Sequence, residues 1–383
     1  MEIKRKRSRN KSNDSTYATD YNYSQQPYLK SLSVGCYYHT SPSANISNER
    51  HESIYETATF SKIVKLENLE KCLPHYCFQK SSDEAWASLT KDFIMFFSLP
   101  VLLYVIESKV ESETQVLIAN IMYVFLQGFV MLAFFILGHD CGHGLLFGTQ
   151  FMNDSIGNIL HSIVLLPYHQ WRESHNYHHL NVGNLEQDDQ YPLCYDVQKT
   201  FFLKKWFFHL MIGYYPKKTI HFWTENPIYG KNFHKFTTSI LNCFVMVTII
   251  GASTYHFGLM LVAKYYLNPL SIFLILRIYT LFMQHQNEMT TWFSDECWSY
   301  DLAAQGVCNQ NCFGIFSFFT HCFEFHQIHH MFPNIPHYRL KIAKNLFLED
   351  FPTIVRVSRR SFLTEFICSF VNYVFKWNPA TID

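Results

Sequence analysis

The sequence predicts an all-α membrane protein with about four transmembrane helices in two hairpins and a helical cap on one side, and three observations predict it. Four apolar stretches lie near residues 93–107, 115–138, 237–263 and 269–283. Short polar turns, Ser108 to Thr114 and Lys264 to Asn268, join them in pairs. Three histidine clusters lie outside all four stretches, so a hairpin arrangement places every cluster on the same side as the N-terminus.

Taken in order, residues 1–60 are rich in Ser, Asn, Tyr and Lys without a sustained apolar period, and a disordered tail is expected there. Lys4, Arg5, Lys6, Arg7, Arg9 and Lys11 give it a basic start that favours a cytosolic N-terminus. The first thirty residues lack an apolar core of the secretory kind, so insertion through an internal segment is expected. Only the second and third stretches reach the roughly 20 residues that cross a bilayer. The first carries Pro100 and the fourth Arg277, which by length alone would also suit buried helices of a soluble core; the pairing into hairpins argues for spans. Ile156 to Tyr168 and Phe313 to Phe323 are apolar but too short to cross, and suit helices lying in the interface. No repeat and no strand or dinucleotide-binding pattern competes.

Composition closes off other classes. Formal charge is zero at pH 7, so nothing in the bulk electrostatics asks for nucleic acid. The 11 Cys are irregularly spaced and read as reduced thiols rather than a disulfide framework. Histidine, at 20, is the outlier, because eight of them fall in the three clusters.

The first cluster is His139-Asp140-Cys141-Gly142-His143, whose imidazoles lie four apart on one helical face at the end of the second stretch. The second, His175-Asn176-Tyr177-His178-His179, and the third, His326-Gln327-Ile328-His329-His330, each bring a pair at i, i+3 or i, i+4 together and turn the adjacent His toward a second centre. Eight imidazoles exceed a zinc site's three or four ligands, so two metals fit the count better. Ligand type alone suits iron, copper, zinc and nickel alike. Iron is favoured by context, since a redox-capable pair beside a bilayer can activate dioxygen against an unactivated methylene. Asp140, Glu173, Glu186, Asp188, Asp189 and Glu324 are near enough in sequence to orient the rings. His161, His169, His209, His221, His234, His256, His321 and His337 read as hydrogen-bonding or interfacial residues. His285 stands apart from these, in Gln284-His285-Gln286-Asn287-Glu288, where the second hairpin re-enters the cluster compartment.

These residues resemble the membrane fatty-acid desaturases, whose three histidine boxes are all matched, and the methyl-end (omega-3 and delta-12) branch in particular. Pro74 to Ser81, Gly157 to Ser162, Leu166 to Arg172, Glu186 to Asp189, Trp298-Ser299-Tyr300 and His329 to Tyr338 carry the likeness over about residues 65–350. Pro167-Tyr168-His169-x-Trp171-Arg172 and the Asp-Cys-Gly of the first box look more like omega-3 than delta-12 members. The resemblance implies a desaturase domain over 61–355 followed by a C-terminal tail, 356–383, with four helices beneath a cytosolic cap that carries two iron ions. It further implies dioxygen as co-substrate, a fatty acyl lipid or acyl-CoA substrate, and electrons from NADH through a reductase and cytochrome b5. It implies a ninth ligand after the fourth helix, where His285 stands, and a multi-pass location in the endoplasmic reticulum with both termini cytosolic. There is no His-Pro-Gly-Gly haem motif, so the cytochrome b5 would be a separate chain. Ala304 to Cys312 and Gly144 to Phe147 depart from the family's usual run.

Two other readings compete. The same scaffold could hydroxylate, epoxidise, or form acetylenic or conjugated bonds, because small changes in how a substrate carbon sits alter the outcome. A membrane divalent-metal transporter would instead place polar residues along a path within the spans, whereas here the clusters lie beyond them. An oligomer is compatible with all of these. Asn45-Ile46-Ser47 and Asn153-Asp154-Ser155 are glycosylation sequons expected to stay unused on the cytosolic side.

Overall fold

The computed structural model describes residues 65–188, 233–285, 289–311 and 314–358, with short stretches at 360–361, 364–365, 367–368 and 381–382. The expected tail 1–60, the first sequon, Asp189, His209 and His221 lie outside the described residues.

Among the described residues four helices are long and apolar enough to cross a membrane. After a short helix α1 (Leu66–Glu70) and a 3-10 turn (His75–Phe78), α2 runs over Ser82–Lys109 and α3 over Glu113–Gly142. The Ser81 hydroxyl accepts from the Glu84 amide to start α2, and the Ser112 hydroxyl accepts from the Gln115 amide to start α3. At 28 and 30 residues they are longer than the apolar stretches that announced them. Their lengths, about 42 and 45 Å, exceed the roughly 30 Å hydrocarbon core, so their ends stand clear of it. Pro100 sits inside α2, which bilayer-embedded helices accommodate. The short α4 (Gln150–Ile163) and α5 (Tyr168–Asn181) follow on the cap side.

The second hairpin differs from its sequence reading. The third helix, α6, covers Phe233–Phe257, and the fourth begins at once as α7 (Leu259–Val262), passes through a π-helical turn (Ala263–Leu267) and continues as α8 (Asn268–His285). The turn is therefore at Gly258, with φ of 85°, and Lys264 to Asn268 belongs to the fourth helix. A single glycine suffices because it enters the left-handed region without a Cβ clash. Lys264 stays in the helix because its ammonium pairs with Glu107 of α2, which also accepts from the Asn120 amide at 2.8 Å. Arg277 is likewise accommodated, buried with its guanidinium carbon 5.1 Å from the centre of the Phe135 ring.

Helix α3 is the centre of the bundle, packing on α2, α4 and α8. Ala85, Leu89, Phe134, Leu137 and Leu160 fill one side of it; Met131, Phe135, Ile136, Leu270 and Phe273 fill the other. The outward faces stay apolar: Ile94, Phe97, Val101 and Leu102 on α2, Leu117, Ile118 and Ile121 on α3, and Leu241, Phe244 and Val245 on α6 are all exposed. A band of this size belongs against lipid rather than water, and the chain is a membrane protein.

The cap is built from the segments beyond the helix ends. It includes α9 (Tyr300–Gln305), α10 (Gly314–Thr320), α11 (His326–Met331) and α12 (His337–Asp350). Leu66, Leu69, Phe293, Ala304, Ile328 and Phe347 form its own apolar core. The described residues are nearly all helical, as expected, and among them Trp292–Phe293 (β1) runs parallel to Thr381–Ile382 (β2) as a two-residue strand pair. The expected C-terminal tail thus contributes to the cap. Arg356 also docks there, donating from its backbone to Gln327 Oε1 at 2.8 Å and from its guanidinium to the Met289 carbonyl at 2.8 Å.

Candidate metal centre

The first two imidazoles come from the end of α3. Gly144, at φ 69°, closes that helix: its amide donates to the Cys141 carbonyl and the Leu145 amide to the Asp140 carbonyl, both at 2.9 Å. His139 and His143 therefore project from one face in the last turn, with ring centres 4.7 Å apart. Helix α5 supplies His175, His178 and His179, and its Trp171 stacks on His175 at 4.6 Å. Helix α11 supplies His326, His329 and His330, and His285 is the last residue of α8.

These nine side chains form two adjoining groups. His139, His143, His175, His179 and His329 present nitrogens within 4.8 Å of one another, as do His178, His285 and His330. His326 joins the second group, with its Nε2 at 2.7 Å from that of His285 and 2.9 Å from that of His330. The pairs that converge are thus the i, i+4 pairs, His175 with His179 and His326 with His330. The histidine between them crosses over: His178 goes to the second group and His329 to the first.

The contacts between nitrogens test whether metal fits. An imidazole nitrogen carries one in-plane proton or one lone pair, so it serves a single hydrogen-bond partner. His326 Nε2 faces two other Nε2 atoms, and His179 Nε2 faces those of His175 at 3.0 Å and His329 at 3.1 Å. No set of tautomers makes all of these hydrogen bonds. Two ligands at right angles on one ion, each about 2.1 Å from it, have nitrogens about 3 Å apart. Nε2 of His139, His143 and His178 is buried with no hydrogen-bond partner, which costs about 1–3 kcal/mol each if nothing binds there.

Protonation agrees. Burial first, then the neighbouring imidazoles, holds His143, His175, His179, His326, His329 and His330 well below the ordinary histidine range, and His178 at about 3. Neutral imidazoles are the ligand form.

The carboxylates divide. Asp188 accepts from His178 Nδ1 at 2.8 Å and from the Gly183 amide at 2.9 Å, and Asp140 lies 3.4 Å from His139 Nδ1. Glu173, in contrast, pairs with Arg172 at 2.9 Å; Glu186 accepts from the Asp295 amide at 3.0 Å; Glu324 accepts from Ser317 and Thr320. Arg172 and the cap loops compete for them, which proximity in sequence did not reveal. Of the other histidines, His161 contacts the Phe135 carbonyl at 3.1 Å, His169 the Asn158 amide at 3.1 Å, His321 Asp92 at 2.6 Å and His337 Asp140 at 2.8 Å.

Sequence reasoning passed over Gln327, inside the third box. Its backbone amide donates to Asn309, its side-chain amide donates to the carbonyls of Gln305 and Ile354, and its oxygen accepts from Asn309 and Arg356. This buried clamp orients the six-residue α11, too short to hold itself. Asn309 lies in the departing stretch Ala304 to Cys312, so that departure supports the box.

Four spanning helices with a cap that gathers two groups of converging imidazoles fit a histidine-rich membrane metalloenzyme. Residues 116–361 match the family model described as Fatty acid desaturase, and the chain belongs to that family. It is 30% identical over 292 residues to an sn-1 acyl-lipid omega-3 desaturase (ferredoxin) of Nostoc sp. (strain 36), covering 72% of this chain and 78% of that protein. To an acyl-lipid omega-3 desaturase (cytochrome b5) of the endoplasmic reticulum from Arabidopsis thaliana it is 29% identical over 303 residues, 74% of this chain and 76% of the other. An endoplasmic-reticulum omega-3 fatty acid desaturase of Nicotiana tabacum is 28% identical over 296 residues, 73% and 76% of the two. The chain is thus an oxidoreductase, a fatty-acid desaturase whose histidine groups suit a non-haem diiron site, and not a metal transporter.

Proposed function

We propose that the chain is a methyl-end desaturase, omega-3 rather than delta-12, that introduces a cis double bond into a fatty acyl chain. Its two irons are held by His139, His143, His175, His179 and His329 on one side and by His178, His285, His326 and His330 on the other. The observation that carries the ligand set is the division of nine converging imidazoles into these two groups. Omega-3 selectivity is supported by the relatives' names, and the same names favour an acyl lipid over acyl-CoA. Electrons come from NADH through a reductase and a separate cytochrome b5, the donor named for the Arabidopsis relative, in place of the ferredoxin named for the Nostoc one. The location is the endoplasmic reticulum, with both termini and the cap cytosolic. Among the described residues Lys65, Lys71, Lys80, Arg339, Lys341 and Lys344 lie on the cap side, against Lys109 and Lys264 at the other.

When bound, the two irons supply the redox chemistry that activates dioxygen toward an unactivated methylene. In balance, one –CH2–CH2– unit, dioxygen, two electrons and two protons give one alkene and two waters. The protein's part is positioning. Asp188 keeps the proton of His178 on Nδ1, leaving Nε2 free for metal. Trp171 fixes the plane of His175, and Phe323 packs beside His139 and His326, so that water is excluded around the groups. No side chain is assigned the role of general base.

The chain expressed in yeast and supplied with an 18-carbon monoene or diene should convert the diene to a triene, read by mass spectrometry. Conversion of the monoene alone would make it a delta-12 enzyme, and a hydroxylated product without a new alkene would refute desaturation. His178→Ala and His329→Ala should each abolish conversion, and deleting the host cytochrome b5 should reduce it severalfold.

A further inference from the structure

Asp140 holds more than His139. Its Oδ2 accepts both the backbone amide of His337, at 3.1 Å, and the His337 Nδ1 proton, at 2.8 Å. With Nδ1 so protonated, His337 Nε2 is the acceptor for the Ser88 hydroxyl at 3.1 Å. The His321 ring packs edge-on against His337, with centres 4.7 Å apart, and its Nε2 donates to Asp92 at 2.6 Å. Asp92 is fully buried on α2, and its other oxygen is 3.2 Å from the Lys91 ammonium. His321 and the next residue, Cys322, take φ of 49° and 61°, an uncommon conformation for residues other than glycine. The chain bends there at a local cost, and that bend seats His321 between Asp92 and His337.

The network joins residues far apart in sequence: Ser88 and Asp92 on α2, Asp140 on α3, His321 before α11, and His337 at the start of α12. Among the described residues it reaches the proposed metal ligands by hydrogen bonding through Asp140 to His139. That contact, at 3.4 Å, is loose, so the carboxylate's orientation depends on the two donors of His337.

We propose that Asp92, His321 and His337 are positioning residues for the five-histidine group, setting the proton and ring plane of His139 through Asp140, while Asp188 serves the four-histidine group independently. The inference rests on the ligand set proposed above. The outer partners of a metal-bound imidazole typically change metal affinity about 10–100-fold when removed. Here the effect is confined to one of the two irons.

The test uses full-length protein purified with iron-57 and read by Mössbauer spectroscopy, iron content and resistance to a chelator. Wild type should hold two irons per chain. His337→Ala should shift or deplete the signal of one iron and lower its chelator resistance about 10–100-fold, with the other signal unchanged. His337→Asn, whose amide nitrogen stands near the Nδ1 position, should restore the lost signal. Asp92→Asn and His321→Ala should disturb the same iron to a smaller extent. A wild-type spectrum and iron content in His337→Ala would overturn the inference alone. So would equal loss of both irons in His337→Ala without rescue by His337→Asn, which marks a general structural role. Wild-type protein that binds no iron would remove the ligand set and this inference with it.

Discussion

Asp188 is a small residue with a narrow task. It is fully buried, one oxygen on His178 Nδ1 at 2.8 Å and the other on the Gly183 amide at 2.9 Å. Asn in its place can keep an oxygen toward only one of these donors, so its amide must meet either the Gly183 N–H or the imidazole N–H. Either His178 turns its proton toward the metal side or the loop at Gly183 shifts. We expect Asp188→Asn to retain the fold and to weaken iron retention about 10–100-fold, measured by chelator titration of the purified protein. Equal retention by variant and wild type would show that His178 is oriented by packing alone. The sequence exposed the histidines because box spacing encodes the i, i+4 faces directly. It could not choose among six nearby carboxylates, since that depends on which loops reach the site: Arg172 takes Glu173, and Ser317 and Thr320 take Glu324. His337 was read as a hydrogen-bonding residue, but its partner and that of Asp92 were illegible for the same reason, lying 197 and 229 residues away.

At the scale of elements, helix existence was plain and helix limits were not. Hydropathy marks only the part of a helix that lies in lipid, so α2 and α3, whose ends carry Ser82-Asp83-Glu84 and His139-Asp140, were read short. The second hairpin's turn was misplaced because Lys264 and Asn268 look like a loop, whereas Glu107 neutralises the lysine within the helix. Close approach of helices was also hidden. A Cβ on Gly138 would stand 2.3 Å from His161 Cδ2 and 2.4 Å from its Nε2, and that ring is pinned to the Phe135 carbonyl and packed on Trp171. It cannot yield without disturbing the stack beneath His175. Gly138→Ala should therefore destabilise the protein by about 1–3 kcal/mol, and lower conversion out of proportion by moving His139 one residue away. A thermal-shift measurement in detergent together with product yield checks this; an unchanged melting temperature would mean that α4 slides to make room.

For the whole molecule, the even number of spans decides where chemistry occurs. His139 lies in the last turn of α3 and His285 ends α8, while Ser82 and Phe233 begin α2 and α6, so all four helix ends that meet the cap lie on one face. Among the described residues the opposite face holds the turns at 110–112 and Gly258, tied together by Glu107 and Lys264. The Asn153 sequon cannot report which face is which: its side chain is buried and bonded to the backbone of Phe147 and Thr149, closed to glycosylation in either orientation. Thiol accessibility can. Cys72, exposed on the cap, is a native reporter for one face, and Glu111→Cys places a reporter in the exposed turn of the other. In sealed microsomes with the cytosolic side outward, a membrane-impermeant maleimide should modify Cys72 at once. It should reach the Glu111→Cys position only after permeabilisation, with modified peptides read by mass spectrometry. The reverse pattern would place the histidine groups in the lumen, away from any cytosolic electron donor, and with them the cytochrome b5 route would fall. Labelling of both positions in sealed vesicles would break the two-hairpin topology itself, since the single span between residues 72 and 111 places them on opposite sides.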